Sequence, residues 1–292
     1  MMPETRLAHA PSFTLAGQWC HLIDITNHCP QACIYCTRYE RHYRGDQLFH
    51  MTLAQIEQAL RAYEGVPGGV GIIGGEPLVH PQFAEISALC RRYFPREKLH
   101  LFTALMPRAK WQEHRDLIAQ TFGHLNANEH TPQQRALCRH QPTTLAVGEV
   151  CDEATAKELI DRCWVPRAWC CTVNHKGAFF CEVLAAMDVL LDGPGGWPVQ
   201  AGWWRRTQSD CRGQRDRYCR LCSMCLPLQR QLMTEGKEKF TPGLLQLYRE
   251  HNLTRLSASD VTVVDLKMTA QAVAAMKPGW EPWAYTVARE SK

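Results

Sequence analysis

The chain has 292 residues, of which 45% are hydrophobic and 21% are charged, and its formal net charge is +4. This length can bury one large core or two moderate ones, and no span approaches the length that a membrane helix needs. The mild charge, without a dense stripe of Lys and Arg, gives no indication of a nucleic-acid groove.

The chain contains 15 cysteines, which is a heavy thiol content. Residues 1–6 lead into no apolar core of signal-peptide length. We therefore expect a cytoplasmic protein with no membrane partner, whose thiols stay reduced and serve as metal or iron–sulfur ligands rather than as disulfides.

The first informative element is an apolar stretch at residues 21–25, which we interpret as a strand, followed by a loop with three cysteines. Cys29, Cys33 and Cys36 have the spacing C-x3-C-x2-C. Three thiolates can hold three irons of a four-iron cluster and leave the fourth iron open to bind a ligand. This vacancy indicates a centre that does chemistry rather than a closed structural site.

Two alternatives remain for this run of cysteines. It is a zinc knuckle, with His28 or His42 as the fourth ligand, or a set of three buried thiols. Closely spaced thiols in a loop invite oxidation unless they are metallated, which favours a metal centre over buried thiols.

The next elements are a helix and a strand. Thr52 opens a capping box before an amphipathic helix, and residues 69–73 predict a buried strand. That strand ends in the residues Gly74, Gly75, Glu76 and Pro77. Two glycines let the backbone approach a ligand closely, and the proline fixes the exit of the turn.

The alternation of helix and strand continues along the chain. A helix from Pro81 and a strand over residues 98–105 come next. Further signals alternate through the ranges 111–118, 123–128, 143–150 and 154–163. Such alternation indicates parallel βα units, and about five or six of them fit an incomplete barrel with its active site at the carboxyl ends of the strands.

The pattern changes near Cys163. Residues 168–173 and 178–183 are two strand-like runs around a hairpin turn at residues 174–177. A short helical segment and a Gly/Pro/Trp-rich loop at residues 192–204 follow. Four more cysteines come after this loop: Cys211, Cys219, Cys222 and Cys225.

These changes divide the chain into three regions. We predict an α/β fold, with an incomplete (β/α)6-type barrel over residues 1–160. A small cysteine-rich domain of a β-hairpin and a helix is predicted over residues 161–235. Residues 236–292 are predicted to be a helical extension, which includes a helix at residues 242–251.

The cysteine run and the Gly-Gly-Glu-Pro segment together resemble the radical S-adenosylmethionine (radical SAM) enzymes. In that family three cysteines carry a [4Fe–4S] cluster, and its open iron chelates the amino and carboxylate groups of S-adenosylmethionine. The resemblance implies that Cys29, Cys33 and Cys36 hold this cluster. It also implies that residues 74–77 line the methionine end of the S-adenosylmethionine and that Tyr35 sits beside the cluster near the adenine.

Polar residues near the ends of later strands are further candidates for contacts with the cofactor or substrate. Thr103 and Asn128 stand near the ends of later barrel strands. Glu129 or Glu149 is a candidate to meet ribose hydroxyls or a substrate amine. Each of these residues is alternatively a surface or capping residue.

The later cysteines resemble the auxiliary-cluster domains called SPASM and twitch, which follow many radical SAM barrels. The match consists of a cysteine before a hairpin, Gly177 in its turn, a cysteine at its far end and a later C-x2-C. The C-x5-C-x3-C continuation of a full SPASM domain is absent, and the gap from Gly177 to the next cysteine is one residue shorter than usual. The resemblance therefore implies one auxiliary [4Fe–4S] cluster, with the ligands Cys163, Cys181, Cys219 and Cys222.

Other ligand sets remain open. Antiparallel counting around the turn places Cys170 opposite Cys181, so Cys170 or Cys171 can replace Cys163. Cys211 and Cys225 are also candidates. A structural zinc site on the last three cysteines and one upstream thiol is the alternative to a cluster.

The resemblance implies that an electron enters the first cluster and splits the sulfonium into methionine and a 5′-deoxyadenosyl radical, which removes hydrogen from a substrate. We expect an enzyme of the oxidoreductase or isomerase type that acts on a small molecule or a peptide, with an electron donor such as flavodoxin or ferredoxin. Two other functions remain open. One is radical rearrangement or modification of a nucleoside or nucleic-acid base, and the other is a non-enzymatic, zinc-stabilised binding module.

Overall fold

The computed structural model describes residues 12–128, 139–228, 231–232, 237–252 and 258–276. The strands in these residues are β1 (Cys20–Asp24), β2 (Gly69–Ile73), β3 (Leu99–Thr103), β4 (His124–Ala127), β5 (Arg139–His140), β6 (Cys170–Asn174), β7 (Gly177–Phe179), β8 (Gln231–Leu232), β9 (Glu238–Phe240) and β10 (Val261–Val263). Within the described part of the chain, a six-stranded sheet has the order β4-β3-β2-β1-β6-β7, and β5 with β8 and β9 with β10 form two small sheets.

Helices cover the sheet and link its strands. The described α-helices are α1 (Leu53–Ala62), α2 (Phe83–Tyr93), α3 (Arg108–Thr121), α4 (Val147–Val150), α5 (Glu153–Asp161), α6 (Val165–Ala168), α7 (Glu182–Leu190), α8 (Arg212–Tyr218), α9 (Pro242–Glu250) and α10 (Ala270–Met276). None of these helices has both the length and the apolar character needed to cross a membrane. The predicted capping box is confirmed, because Thr52 and Gln55 exchange hydrogen bonds at the start of α1.

Parallel pairing organises the large sheet around β1. The pairs β1 with β2, β2 with β3, β3 with β4 and β1 with β6 are parallel, whereas β6 and β7 are antiparallel. The five residues of β1 are all buried, as expected for a parallel strand that is covered on both faces. The prediction of an α/β fold with a mostly parallel sheet, consistent with a partial barrel, is confirmed. The carboxyl ends of these parallel strands lie at one edge.

The predicted hairpin forms, but it joins this same sheet. Its turn lies at residues 174–177, and β6 pairs directly with β1 in the register Cys20 with Cys170. The boundary predicted at residue 160 therefore does not coincide with an edge of the sheet. The second predicted strand also ends early, because β7 stops at Phe179 and α7 begins at Glu182.

Two later regions can be compared with the predicted pattern. Residues 143–150, one of the ranges in the predicted alternation of helix and strand, contain the four-residue helix α4. The described residues of the predicted helical extension contain the strands β9 and β10 as well as α9 and α10, and α9 matches the predicted helix at residues 242–251. Short apolar segments carry too little periodicity to separate a strand from a buried helical turn.

The segment after β2 packs backbone to backbone against the chain that leaves β1. Gly75 N–H donates to Thr26 O at 2.7 Å, and Glu76 N–H donates to His28 O at 2.9 Å. A Cβ on Gly74 would lie 2.3 Å from Thr26 O, and one on Gly75 would lie 2.6 Å from His28 O. The glycine pair is therefore required by the neighbouring backbone, which occupies the space that a side chain needs.

This contact predicts that Gly74→Ala and Gly75→Ala each lower the free energy of unfolding of the cluster-free protein by about 1–3 kcal/mol, because the added methyl overlaps backbone atoms. Gly213→Ala in α8 is the control, since its Cβ would meet nothing within 4 Å. We expect this control to be neutral or about 0.5–1 kcal/mol more stable. Denaturant unfolding measures all three, and equal stability of the Gly74→Ala and Gly213→Ala variants would contradict the packing described.

Candidate functional site

The three cysteines of the loop after β1 lie at the carboxyl edge of the sheet. Cys33 is buried, and Cys29 and Cys36 are partly buried. Burial raises the pKa of the Cys29 thiol, and the nearby charges of Glu40 and Cys33 raise it further. Burial, Glu40 and Cys33 also raise the pKa of Cys36. The three thiols thus share one water-poor space, in which a bound cation is needed to keep them ionised.

The surroundings of these thiols fit an iron–sulfur cluster. The backbone N–H of Gln31 donates to Cys29 Sγ at 3.4 Å, and amide donors to sulfur stabilise thiolate charge in such clusters. Among the described residues, no three His, Cys, Asp or Glu side chains surround the position of a single metal ion.

Both histidines that were considered as a fourth zinc ligand make contacts with other side chains. His42 Nε2 lies 3.4 Å from the carboxylate of Glu238, and its ring packs against Phe240 and Tyr248. The ring of the other candidate, His28, stacks on His50.

Glu76 links the ends of two neighbouring strands. Its carboxylate accepts hydrogen bonds from the Thr103 hydroxyl at 2.6 Å, from Ala104 N–H at 2.7 Å and from Leu78 N–H at 3.2 Å. Burial raises the pKa of Glu76 to about 7, and these donors oppose that effect. Asn128 N–H donates to Thr103 O at 2.9 Å. The predicted residues Glu76, Thr103 and Asn128 therefore form a continuous hydrogen-bonded line across the strand ends.

Tyr35, which lies between two of the cysteines, is clamped by distant residues. Its backbone has φ of 58°, and its N–H donates to Glu238 Oε1 at 3.0 Å. Its hydroxyl accepts from Lys239 N–H at 2.9 Å. His140 Nδ1 donates to Ile34 O at 3.0 Å. The Tyr35 ring is thus fully buried against β9, and its place near an adenine stays a prediction.

Glu238 remains ionised in this buried position. Burial raises its pKa, but His42, Arg41 and the N–H of Tyr35 together outweigh burial and bring the pKa below its usual value. Sequence reasoning missed both Glu238 and His140. Neither belongs to a motif, and each reaches the loop from a remote part of the chain.

The second set of cysteines also converges. The four predicted ligands, Cys163, Cys181, Cys219 and Cys222, line one cavity. Cys225 lines the same cavity. The rest of the wall is mostly apolar, apart from Arg215 and Tyr218. The backbone N–H of Met224 donates to Cys222 Sγ at 3.4 Å, the same two-residue relation that Gln31 has to Cys29. The second set of thiols therefore has an amide donor to sulfur, as the first loop does.

Three other candidate cysteines are engaged elsewhere. The thiol of Cys170 hydrogen-bonds to Cys20 across β6 and β1, and the thiol of Cys171 hydrogen-bonds to Tyr63. Cys211 Sγ donates to Thr207 O at 3.2 Å. The structure therefore separates these three from the cavity. The antiparallel ladder ends at Thr172 with Phe179, two steps before the cysteine pair that counting placed opposite each other.

A positive charge lies in the wall of the cavity. Arg215 Nη2 is 2.5 Å from Asp161 Oδ1. Burial raises the pKa of Cys163 to about 12, the Cys222 thiol adds to this, and Arg215 opposes it. The guanidinium thus favours ionised sulfur at this site.

A buried ion network missed by sequence reasoning joins the two cysteine loops. Arg38 forms an ion pair with Asp24, lies 3.7 Å from Glu182 Oε2 and donates to Glu182 O at 3.1 Å. Asp24 ends β1, and an acid at the end of a buried strand is a signal that could have identified it. Glu182 Oε1 accepts from Trp169 Nε1 at 3.2 Å.

Glu149 has a capping role. Its carboxylate accepts from the Thr241 hydroxyl at 2.8 Å, from Gly243 N–H at 2.7 Å and from Leu244 N–H at 2.8 Å. These donors stand at the start of α9, so the alternative of a capping residue is the one observed. The other acid considered, Glu129, lies outside the described residues.

Comparison with known proteins gives a family match for part of the chain. The model of the Radical SAM superfamily matches residues 23–139. No curated protein matches the sequence significantly. Among solved structures, BtrN in complex with AdoMet and 2-DOIA has 13% identity and a TM-score of 0.36, over 56% of this chain and 73% of that chain.

A second structure, selenomethionine BtrN in an open conformation, has 11% identity and a TM-score of 0.35, over 74% of this chain and 97% of that chain. Scores this low support no conclusion about this chain. The family match covers the three-cysteine loop, β2 with its Gly-Gly-Glu-Pro segment, and β3. Residues 23–139 therefore form a domain of the radical SAM superfamily.

Proposed function

We propose that this protein is a radical SAM enzyme that reductively cleaves S-adenosylmethionine and abstracts hydrogen from a small molecule or a peptide. One observation carries the proposal. The thiols of Cys29, Cys33 and Cys36 share one space within the matched domain, directly beside the Gly-Gly-Glu-Pro segment. When bound, a [4Fe–4S] cluster with its S-adenosylmethionine supplies the 5′-deoxyadenosyl radical that attacks a C–H bond.

The residues of the chain contribute binding, orientation and the exclusion of water. The three thiolates would hold three irons of the cluster, which would leave the fourth for the amino and carboxylate groups of S-adenosylmethionine. The wall formed by Gly74, Gly75 and Glu76 is rigid, because its amides and carboxylate are already hydrogen-bonded to residues of the chain. Such a wall orients the methionine end without rearranging when the cofactor binds.

We further propose one auxiliary [4Fe–4S] cluster on Cys163, Cys181, Cys219 and Cys222. The support is that all four line one cavity, together with an amide donor to Cys222 and the guanidinium of Arg215. Four thiolates saturate a cluster, so this centre relays electrons or braces the fold and does not bind substrate. Cys225, which lines the same cavity, is the alternative ligand.

The remaining partners follow from this chemistry. The proposed reaction consumes an electron, so a donor such as flavodoxin or ferredoxin is required. Oxygen-sensitive clusters and reduced thiols suit a cytoplasm. The substrate is a small molecule or a peptide, and the outcome is an oxidation or an isomerisation.

The first prediction concerns the three-cysteine loop. Replacing Cys29, Cys33 and Cys36 together with Ala should abolish the formation of 5′-deoxyadenosine under strong reductant and leave about four irons per chain, half of the total for two clusters. Anaerobic reconstitution, iron analysis and chromatography of the nucleoside measure both effects. Cys90→Ala is the control, because this buried thiol lies on α2 and does not line the cavity of the second cysteine set. Nucleoside formation by the triple variant would exclude the assignment.

The second prediction concerns the auxiliary cluster. Cys181→Ala and Cys222→Ala should each lower the iron content by up to about four per chain, while cleavage of S-adenosylmethionine continues at a reduced rate. Cys211→Ala should keep the full content, since its thiol bonds to Thr207 O instead of lining the cavity. Unchanged iron in the first two variants would remove the auxiliary site. Equal loss in all three variants would also count against these ligands.

A further inference from the structure

A single peptide group in the cysteine loop is held from both ends by residues that lie far along the chain. In the peptide between Ile34 and Tyr35, the carbonyl of Ile34 accepts a hydrogen bond from His140 Nδ1 at 3.0 Å. The N–H of Tyr35 donates to Glu238 Oε1, also at 3.0 Å. His140 is 106 residues from Ile34, and Glu238 is 203 residues from Tyr35. This peptide lies between Cys33 and Cys36, so its plane sets the directions in which the two thiols leave the backbone.

The loop needs such support because Tyr35 adopts a left-handed backbone conformation. Its φ is 58°, a value that is unfavourable for an aromatic residue and persists only where the surroundings impose it. Tyr35 is fully buried, so its N–H has no access to water and requires an acceptor from the protein. Glu238 supplies that acceptor.

Glu238 is itself held by the loop that it supports. The side chain is fully buried, with His42 Nε2 at 3.4 Å and Arg41 Nη1 at 3.6 Å from its carboxylate. The next residue of β9 donates its N–H to the hydroxyl of Tyr35 at 2.9 Å. The strand β9 thus contacts both the backbone and the side chain of the residue between the two cysteines.

We propose that Glu238 is a positioning residue for the first cluster, which fixes the Ile34–Tyr35 peptide, with His140 on its other side, so that Cys33 and Cys36 face the irons. This inference rests on the proposed function of the loop. It assigns a part in cluster binding to β9, outside the matched domain. Second-shell contacts of this kind usually change metal affinity or activity by about 10–100-fold.

The test uses the full chain, reconstituted anaerobically with iron and sulfide and then reduced. The readout is the part of the electron paramagnetic resonance signal that changes when S-adenosylmethionine is added, since only a cluster with an open iron responds to it. Glu238→Ala should lower this responsive signal about tenfold, because the N–H of Tyr35 loses its acceptor. Glu238→Gln should keep it within about threefold of the wild-type value, because Oε1 remains in place.

Glu238→Asp separates position from charge and stays informative if the Ala variant fails to fold. It keeps the carboxylate but withdraws it by one methylene, so we expect a loss close to that of Ala. Glu149→Ala is the matched control. Like Glu238, Glu149 accepts hydrogen bonds from backbone N–H groups, here those of Gly243 and Leu244, but it does not contact the cysteine loop. It should lower stability and leave the responsive signal unchanged.

The outcomes separate this inference from the function on which it rests. Absence of a responsive signal in the wild-type protein overturns the proposed function. A wild-type signal that survives in both Glu238→Ala and Glu238→Asp overturns the positioning role alone. An equal loss in Glu149→Ala, or a loss in Glu238→Gln with retention in Glu238→Asp, shows that the backbone acceptor is not the cause and also overturns it.

Discussion

Two backbone hydrogen bonds fix the centre of the site: those from Gly75 N–H to Thr26 O and from Glu76 N–H to His28 O. They join the segment after β2 to the chain that leaves β1, at a distance that leaves no room for side chains on the two glycines. Because β1 is also bonded on its other edge to β6, the first residues of the cysteine loop begin from a fixed position. The Glu76 carboxylate also accepts a hydrogen bond from the Thr103 hydroxyl, so hydrogen bonds connect the ends of β1, β2 and β3.

The cysteine loop is completed by residues outside the region that a family model matches. The match ends at residue 139, whereas His140 and Glu238 hold the peptide between Cys33 and Cys36. Local sheet contacts therefore fix the beginning of the loop, and remote contacts fix its middle. Before metal binds, no ligand holds the three thiols of this loop together, and contacts from several elements are a means of keeping them convergent.

Local patterns predicted the parts of the fold that local physics controls. Periodicity and side-chain hydrogen bonding within a few residues explain three of these parts: the buried strand before the cysteines, the capping box at Thr52 and the helix α9. The pairing of β6 with β1 does not, because parallel partners are chosen by packing over long separations. Glu238 carries no local signal either, since a lone acid in a short strand acquires its role only when the remote loop folds against it.

The large sheet and a buried ion network connect the two cysteine sets. Cys181 directly follows the hairpin whose strand β6 pairs with β1, and β1 leads into the first cysteine loop. Arg38, two residues after Cys36, donates to the carbonyl of Glu182, the residue after Cys181, at 3.1 Å. Because Arg38 is buried and also pairs with Asp24 and with the Glu182 carboxylate, breaking these contacts would leave an uncompensated charge, which is strongly unfavourable. The sheet and this ion network therefore fix the separation between the two thiol sets.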